Sequence, residues 1–197
     1  MTWLSPPFDR AVFARALGKP FAAAAPLPSL VLPSALDPAQ ARKLRLLAQP
    51  RLRKFALADQ GTFHESRGAP HRGLLEELLA FAEGVTGRAL RVIAARTLLF
   101  RAGDYALRLE DARRHHPAAP RWLELTHDHS SGPCEDARVV YSTGLTQHLI
   151  VPQDPGQLAL VERTQATTRY ERYLSAGMGR RAAWRLRVSL ADRETAP

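Results

Sequence analysis

Hydrophobic side chains recur at helical spacing in three stretches of the first half of the chain. The first stretch is expected to begin at Ser5, whose hydroxyl can cap a first turn, and to end at Gly18. The second is expected to begin at Asp37, a capping residue followed directly by proline, and to run to Pro50. The third is the most regular, and Gly84 is expected to end it. Its hydrophobic positions are Leu74, Leu75, Leu78, Leu79 and Ala82.

From Leu90 onward the helical spacing gives way to short hydrophobic runs that are separated by turn residues. Such runs are typical of strands, and their spacing of roughly ten residues indicates a sandwich or a barrel. An earlier apolar run at residues 30–32, bounded by prolines, also predicts a strand. The later runs cover residues 96–100, 122–129, 138–141, 148–151 and 158–161.

The clearest strand pattern spans residues 182–190, where apolar and polar side chains alternate. Because successive side chains of a strand point to opposite faces, this strand has one apolar face and one arginine-rich face. The apolar face carries Trp184, Leu186, Val188 and Leu190, and the other face carries Arg185, Arg187 and Ser189.

The order of these elements, helices first and strands afterwards, predicts an α+β fold in which helices cover one face of a β-sandwich. No linker divides the chain. We therefore expect a single domain over residues 1–197, helix-rich over residues 1–88 and β-rich over residues 89–191.

Composition and charge narrow the function classes. The chain has 28 basic and 19 acidic residues, which gives a formal net charge of +9 and favours anionic partners. Arginine is dispersed, however, and no basic block with interleaved aromatic residues indicates a nucleic-acid site. The single cysteine, Cys134, excludes an internal disulfide and a cysteine zinc cluster, so a cytoplasmic location is expected. No apolar run approaches the roughly 20 residues of a membrane-spanning helix.

Several enzyme motifs are absent from the sequence. There is no phosphate-binding loop, no dinucleotide glycine fingerprint and no serine elbow. Cys134 lies in a polar stretch without an adjacent base, so we assign it no role.

Three segments together resemble the iron(II)/2-oxoglutarate oxygenases of the prolyl-hydroxylase-like branch. Residues 30–38 are similar to the strand and helix that open the fold of that family. Residues 101–105 resemble the strand that leads to its first metal ligands, and residues 151–160 resemble the turn and strand before its distal histidine. The resemblance implies a double-stranded β-helix, a jelly-roll sandwich of the cupin type.

In that family, iron is held by a histidine and an acid two residues later, together with a distal histidine. The resemblance places the first pair on Leu109 and Asp111, or on Arg108 and Glu110 if it is shifted by one residue. The distal position falls within residues 169–171, again without histidine. Arginine stays protonated and cannot bind a cation. We therefore expect a degenerate metal site with no metal bound by the family motif, of which Asp111 or Glu110 is the remnant.

The final strand matches the family better. Arg187 and Ser189 resemble the arginine and serine that bind the distal carboxylate of 2-oxoglutarate, and Arg185 is an alternative in a shifted register. A guanidinium group pairs well with a planar carboxylate, so a pocket for an anion is expected to persist without the metal. The competing expectation is a surface ladder of arginines that pair with acids on a neighbouring strand.

Other histidines could replace the missing ligands. His127 and His129 are the first candidates, because alternate residues of a strand point the same way. Leu123 and Leu125 share their face, however, which favours buried and hydrogen-bonded histidines. The adjacent pair at residues 115–116 is expected in a loop, and His64 and His148 are expected to be surface or structural residues.

Three hypotheses for function follow. The first is an oxygenase-fold pseudoenzyme that binds a protein partner or a small anion, with no cofactor. The second is an active iron(II)/2-oxoglutarate-dependent dioxygenase whose iron is held by Asp111 or Glu110 together with histidines from the set His115, His116, His127 and His129. The third is a basic module that binds nucleic acid or an acidic protein.

Overall fold

The computed structural model describes residues 2–114, 119–133, 137–144, 146–152, 154–172, 174 and 182–193. Within these residues, no helix is long and apolar enough to cross a membrane.

Eleven strands form one continuous antiparallel arrangement within the described part of the chain. Its hydrogen-bonded order is β1-β9-β6-β11-β4-β3-β5-β10-β7-β8, and β2 pairs with the other edge of β3. The strands are β1 (Ser29–Leu32), β2 (Arg53–Leu57), β3 (Gly61–Arg67), β4 (Leu90–Phe100), β5 (Tyr105–Ala106), β6 (Arg121–Asp128), β7 (Arg138–Thr143), β8 (Gln147–Pro152), β9 (Leu158–Thr164), β10 (Thr167–Glu171) and β11 (Ala183–Asp192).

The arrangement folds into two layers because β3 pairs with both β4 and β5. One layer contains β1, β9, β6, β11 and β4, and the other contains β5, β10, β7 and β8. The layers face each other in a nearly closed jelly roll, and apolar side chains of both meet inside it, including Val139 of β7 and Val161 of β9. The expected α+β class and double-stranded β-helix are confirmed.

Five helices are described, and four of them precede β4. A single 3-10 turn, Gln49–Arg51, follows the third helix. The helices are α1 (Ala11–Ala16), α2 (Gly18–Ala23), α3 (Pro38–Ala48), α4 (Arg72–Thr86) and α5 (Arg108–Arg114).

The largest hydrophobic core lies between the first helices and the outer face of the β6–β11 layer. Leu74 and Leu78 of α4 are fully buried there against Leu123 of β6 and Leu186 of β11. Burial of this one face fixes the register of these strands, because a slip by one residue would turn the apolar side chains away from the helices.

Three of the expected helix boundaries are wrong. The first helix begins at Ala11 rather than at Ser5, whose backbone N–H donates instead to the carbonyl of Ala35. Gly18 opens α2 instead of ending α1. The helix over Leu74–Ala82 continues through Gly84 to Thr86, and Gly87 caps it in the left-handed backbone conformation.

The capped start at Asp37 is confirmed, since its carboxylate accepts a hydrogen bond of 2.7 Å from the backbone of Ala39. Each predicted strand is present within one to several residues of its expected bounds. The patterns did not predict β2, β3, β5 or β10, whose sequences mix charged, polar and apolar residues without a clear period.

Candidate functional site

The arginine-rich face of β11 points into the jelly roll. Arg185 and Arg187 are 1% and 3% exposed, and their register partners on β6 are Asp128 and Thr126. The apolar face of β11 packs under the helices. The expected surface ladder of arginines is therefore wrong, because both faces of β11 are buried, although these arginines do pair with acids.

Asp111 reaches the same interior from α5, the helix that directly follows β5. Its side chain is 1% exposed and accepts from Arg163 at 2.5 Å (Nη2 to Oδ2) and from Arg187 at 2.9 Å (Nη2 to Oδ1). The backbone N–H of Arg169 also donates to it at 3.1 Å. Burial by itself would raise the pKa of Asp111, but Arg187 and Arg163 outweigh burial and hold the pKa below its ordinary value.

Glu124 of β6 is the second interior carboxylate, and it is fully buried. Arg163 and Arg169 contact it at 2.5 Å and 2.7 Å, and the hydroxyl of Tyr141 donates to it at 2.8 Å. Burial opposes ionisation, yet Arg187, Arg163 and Arg169 lower the pKa of Glu124 well below its ordinary value. Burial and the nearby carboxylate of Glu124 raise the pKa of Tyr141 to about 12.

Glu171 of β10 is the third interior carboxylate. It pairs with Arg169 at 2.5 Å and also contacts Arg185. The guanidinium group of Arg185 in turn lies 5.2 Å from the ring centre of Phe100. Glu171 therefore connects Arg185, through Arg169, to the group around Glu124.

These buried arginines and acids form one connected group, which we call the ionic cluster. An unpaired buried charge costs several kcal/mol, so such a cluster persists only when its members satisfy one another. The ionic cluster consists of Arg163, Arg169, Arg185 and Arg187 together with Asp111, Glu124 and Glu171.

The ionic cluster occupies the positions to which the family resemblance assigned iron and 2-oxoglutarate. Asp111 stands at the expected acid, and Glu110 beside it on α5 is also buried. Arg169 stands within the expected distal position, and Arg187 shares the interior face of β11 with Ser189. The side chain of Leu109 lies outside the described part of the chain.

The donor set around Asp111 does not fit an iron(II) ion. Among the described residues, its partners are guanidinium groups and a backbone amide, which donate hydrogen bonds and cannot bind a cation. No three described His, Cys, Asp or Glu side chains are grouped closely enough to hold a metal ion. His115 and His116, the alternative ligands that follow α5, lie outside the described residues, as does Cys134.

His127 and His129 are not brought to Asp111. His127 lies opposite Leu186 on the helix-covered face of β6, whereas Glu124 points to the interior from the other face. Both histidines are fully buried, and their nearly parallel rings have centres 5.9 Å apart. By the geometry of the described residues, the four ring nitrogens have no hydrogen-bond partner, and the hydrogen bonds expected of these histidines stay a prediction.

Burial sets the protonation of this histidine pair. Desolvation lowers the pKa of His127 to about 3 and lowers the pKa of His129 well below its ordinary value. Both rings are therefore neutral at physiological pH. Of the remaining histidines, His148 contacts the hydroxyl of Ser142 at 2.9 Å through Nδ1.

Sequence reasoning missed Glu124 and Arg163, and it located Arg169 and Glu171 at the expected distal position without giving them a role. A signal for them exists, because charged residues recur on one face of strands whose neighbouring positions are apolar. Glu124 lies between Leu123 and Leu125, and Arg163 follows the apolar run of β9. Charges of both signs on facing strands of a sandwich indicate paired charges in its interior when the other face of those strands is apolar.

No protein-family model matches the chain, and no curated protein matches it. Solved structures do match its fold. The non-heme alpha-ketoglutarate-dependent epimerase SnoN from nogalamycin biosynthesis superposes with a TM-score of 0.64 at 19% identity, over 90% of this chain and 83% of that one. A prolyl-4-hydroxylase from Pseudomonas putida gives a TM-score of 0.66 at 14% identity, over 92% of this chain and 100% of that one.

A third neighbour is an oxidoreductase of the 2OG-Fe(II) oxygenase family from Burkholderia pseudomallei, with a TM-score of 0.62 at 11% identity. It covers 94% of this chain and 92% of that one. The expected resemblance is thus confirmed at the level of the fold. The chain has the fold of the iron(II)/2-oxoglutarate oxygenases, and a prolyl-4-hydroxylase is among the structures that share it. Fold alone does not determine activity.

Proposed function

We propose that this chain is an oxygenase-fold protein that has lost the iron triad and acts by binding a partner rather than by iron chemistry. The observation that carries the proposal is the pairing of Asp111 with Arg163 and Arg187 at 1% exposure. A carboxylate that accepts from two guanidinium groups has little capacity left for a metal ion.

A surface partner is favoured over a small anion inside the jelly roll. Arg187 and Arg185, the residues expected to bind the carboxylate of 2-oxoglutarate, already contact the chain's own acids. An incoming dicarboxylate would have to take Arg187 from Asp111 or Arg185 from Glu171, and that acid would lose one of its two buried ion pairs. The interior arginines therefore stabilise the fold rather than bind a ligand.

An active oxygenase with non-standard ligands is the second candidate. The fold that this chain shares with SnoN and the Pseudomonas putida prolyl-4-hydroxylase favours this candidate. A chain without iron chemistry would not need to keep that fold. Here 2-oxoglutarate and iron(II) would be the cofactors, and the ion pairs of Asp111 would have to open before iron could bind. We further propose a cytoplasmic location, which the single cysteine supports.

Anaerobic equilibrium dialysis against iron(II) and 2-oxoglutarate, followed by metal analysis, tests the proposal. The Pseudomonas putida prolyl-4-hydroxylase serves as the positive control, since it shares the fold. We expect no stoichiometric iron on this chain and no conversion of 2-oxoglutarate to succinate when oxygen is admitted. One iron bound per chain, with oxygen-dependent conversion of 2-oxoglutarate to succinate, would overturn the proposal in favour of the active oxygenase.

A further inference from the structure

The most one-sided charge distribution in the first half of the chain lies between Pro38 and Ala58. This segment holds six basic residues and no acidic residue, and it covers α3, the 3-10 turn and β2. The basic residues are Arg42, Lys43, Arg45, Arg51, Arg53 and Lys54. The segment therefore attracts negatively charged partners over a distance set by the ionic strength.

The segment ends in a strand with an open edge. β2 pairs along one side with β3, in the register Arg53 with Glu65 to Leu57 with Gly61. In the described part of the chain, no other strand pairs with β2. Such an edge presents backbone N–H and C=O groups that can add the strand of another chain.

The side chains of β2 make the two ends of this edge chemically different. Arg53 and Lys54 are exposed at its start, and Leu57 is 48% exposed at its end. Phe55, between them, is half-buried and packs on Phe63 with ring centres 4.8 Å apart. We call β2 with these side chains the basic edge, which is cationic at one end and apolar at the other.

We propose that the basic edge binds an extended acidic segment of a partner protein, which adds to the sheet as a strand beside β2. Acidic residues of that segment lie opposite Arg53 and Lys54, and apolar residues lie opposite Phe55 and Leu57. Cross-strand pairs of opposite charge and pairs of apolar side chains both stabilise such an addition. This inference rests on the proposed function, in which the chain acts by binding a partner.

The chemistry of the basic edge favours an acidic peptide over single-stranded nucleic acid or a second copy of this chain. Single-stranded nucleic acid binds through bases stacked on exposed aromatic rings, whereas the aromatic ring of β2 is packed on Phe63. A second copy of this chain would bring together two basic surfaces of a molecule whose formal net charge is +9. An acidic strand satisfies both the backbone groups and the charges.

A fluorescently labelled heptapeptide of sequence valine, threonine, valine, glutamate, glutamate, serine, glutamate is the probe, because it matches β2 in an antiparallel register. Its binding is followed by fluorescence anisotropy. We expect the paired substitutions Arg53→Glu and Lys54→Glu to weaken binding at least tenfold. Arg15→Glu with Arg91→Glu changes the net charge equally at two exposed sites elsewhere and is expected to change binding less than twofold.

Methylation of backbone amides in the probe separates strand addition from charge attraction alone. One set of alternate amides faces β2 and the other faces away, so methylating the first set should weaken binding at least tenfold and methylating the second should not. Equal binding by both methylated peptides would overturn the inference, and so would equal weakening in the Arg15 and Arg91 control. Absence of any binding would overturn it as well, whereas iron binding in the dialysis experiment would overturn only the proposed function.

Discussion

At the scale of single residues, Asp111 shows how the chemistry of this interior differs from that of a metal site. Its two carboxylate oxygens accept from Arg163 and Arg187, and the backbone of Arg169 completes its surroundings. Breaking a buried ion pair on one side leaves the other charge without compensation, which costs more than the pair itself contributes. The carboxylate is therefore expected to be required for folding.

The Asp111→Asn substitution tests this requirement. It keeps the shape of the side chain but removes the charge that two buried guanidinium groups need, so the free energy of unfolding should fall by about 3–5 kcal/mol. Urea denaturation followed by circular dichroism measures the change. The matched control is Glu76→Gln, which breaks the exposed pair with Arg72 on α4 and should cost under about 0.5 kcal/mol. Equal effects of the two substitutions would contradict the account.

The buried histidine pair makes stability depend on pH. His127 has a pKa of about 3 in the folded chain and of 6.5 when unfolded, so between these values the unfolded chain binds the extra proton. Stability from this residue is present above pH 6.5 and falls as the pH falls, by about 1.4 kcal/mol per pH unit.

The His127→Leu substitution should remove that dependence. Between pH 8 and pH 5, the variant is expected to lose about 2 kcal/mol less of its unfolding free energy than the unsubstituted chain. Thr126→Val, a substitution without a titrating group at the next buried position of β6, should shift stability equally at both pH values. Parallel losses in all three proteins would show that His127 does not carry the effect.

At the scale of secondary structure, the sequence predicted elements wherever a single face is apolar. The helix at Leu74–Ala82 and the alternation in β11 are examples, because burial of one face leaves a clear period. It could not predict β10 or the interior position of Arg163 and Arg169, since an isolated charged residue in a strand is usually at the surface. The pairing of strands that are distant in sequence brings Glu124 to both of these arginines.

The role of Gly84 could not be predicted from the sequence either, because it depends on a neighbouring helix. A Cβ at this position would lie 2.8 Å from the Cβ of Ala14 in α1, which is closer than ordinary packing allows. Gly84→Ala gains about 1 kcal/mol of helix propensity but should still destabilise the chain by about 1–2 kcal/mol.

A double-mutant cycle with Ala14→Gly checks the cause of this destabilisation. When Ala14 is replaced by glycine, the space opens and Gly84→Ala should become neutral or stabilising. Thermal unfolding of the four proteins in the cycle gives the coupling energy, which we expect to be at least about 1 kcal/mol. Additive effects would mean that the packing of α1 on α4 does not determine the glycine.

At the scale of the whole molecule, the fold is that of the oxygenases, whereas the side chains around Asp111 do not fit an iron(II) ion. The jelly roll superposes on oxygenases at TM-scores of 0.62–0.66, and its interior holds the ionic cluster at the positions where the sequence resemblance placed iron and 2-oxoglutarate. The helices and the outer core lie apart from that interior, because they pack on the opposite face of the β6–β11 layer. Under the proposed function, the fold is kept while the chemistry inside it is replaced.

The nitrogen-15 NMR signals of the arginine side chains test the central claim most directly. If the ionic cluster fills the interior, Arg163, Arg169, Arg185 and Arg187 give guanidinium signals whose protons exchange slowly with water, because all four are at most 3% exposed. Saturating zinc(II), as a diamagnetic substitute for iron(II), together with 2-oxoglutarate should leave these signals unchanged. Displacement of the Arg163 and Arg187 signals in proportion to the added ligands would contradict the account and show that the interior still binds the oxygenase cofactors.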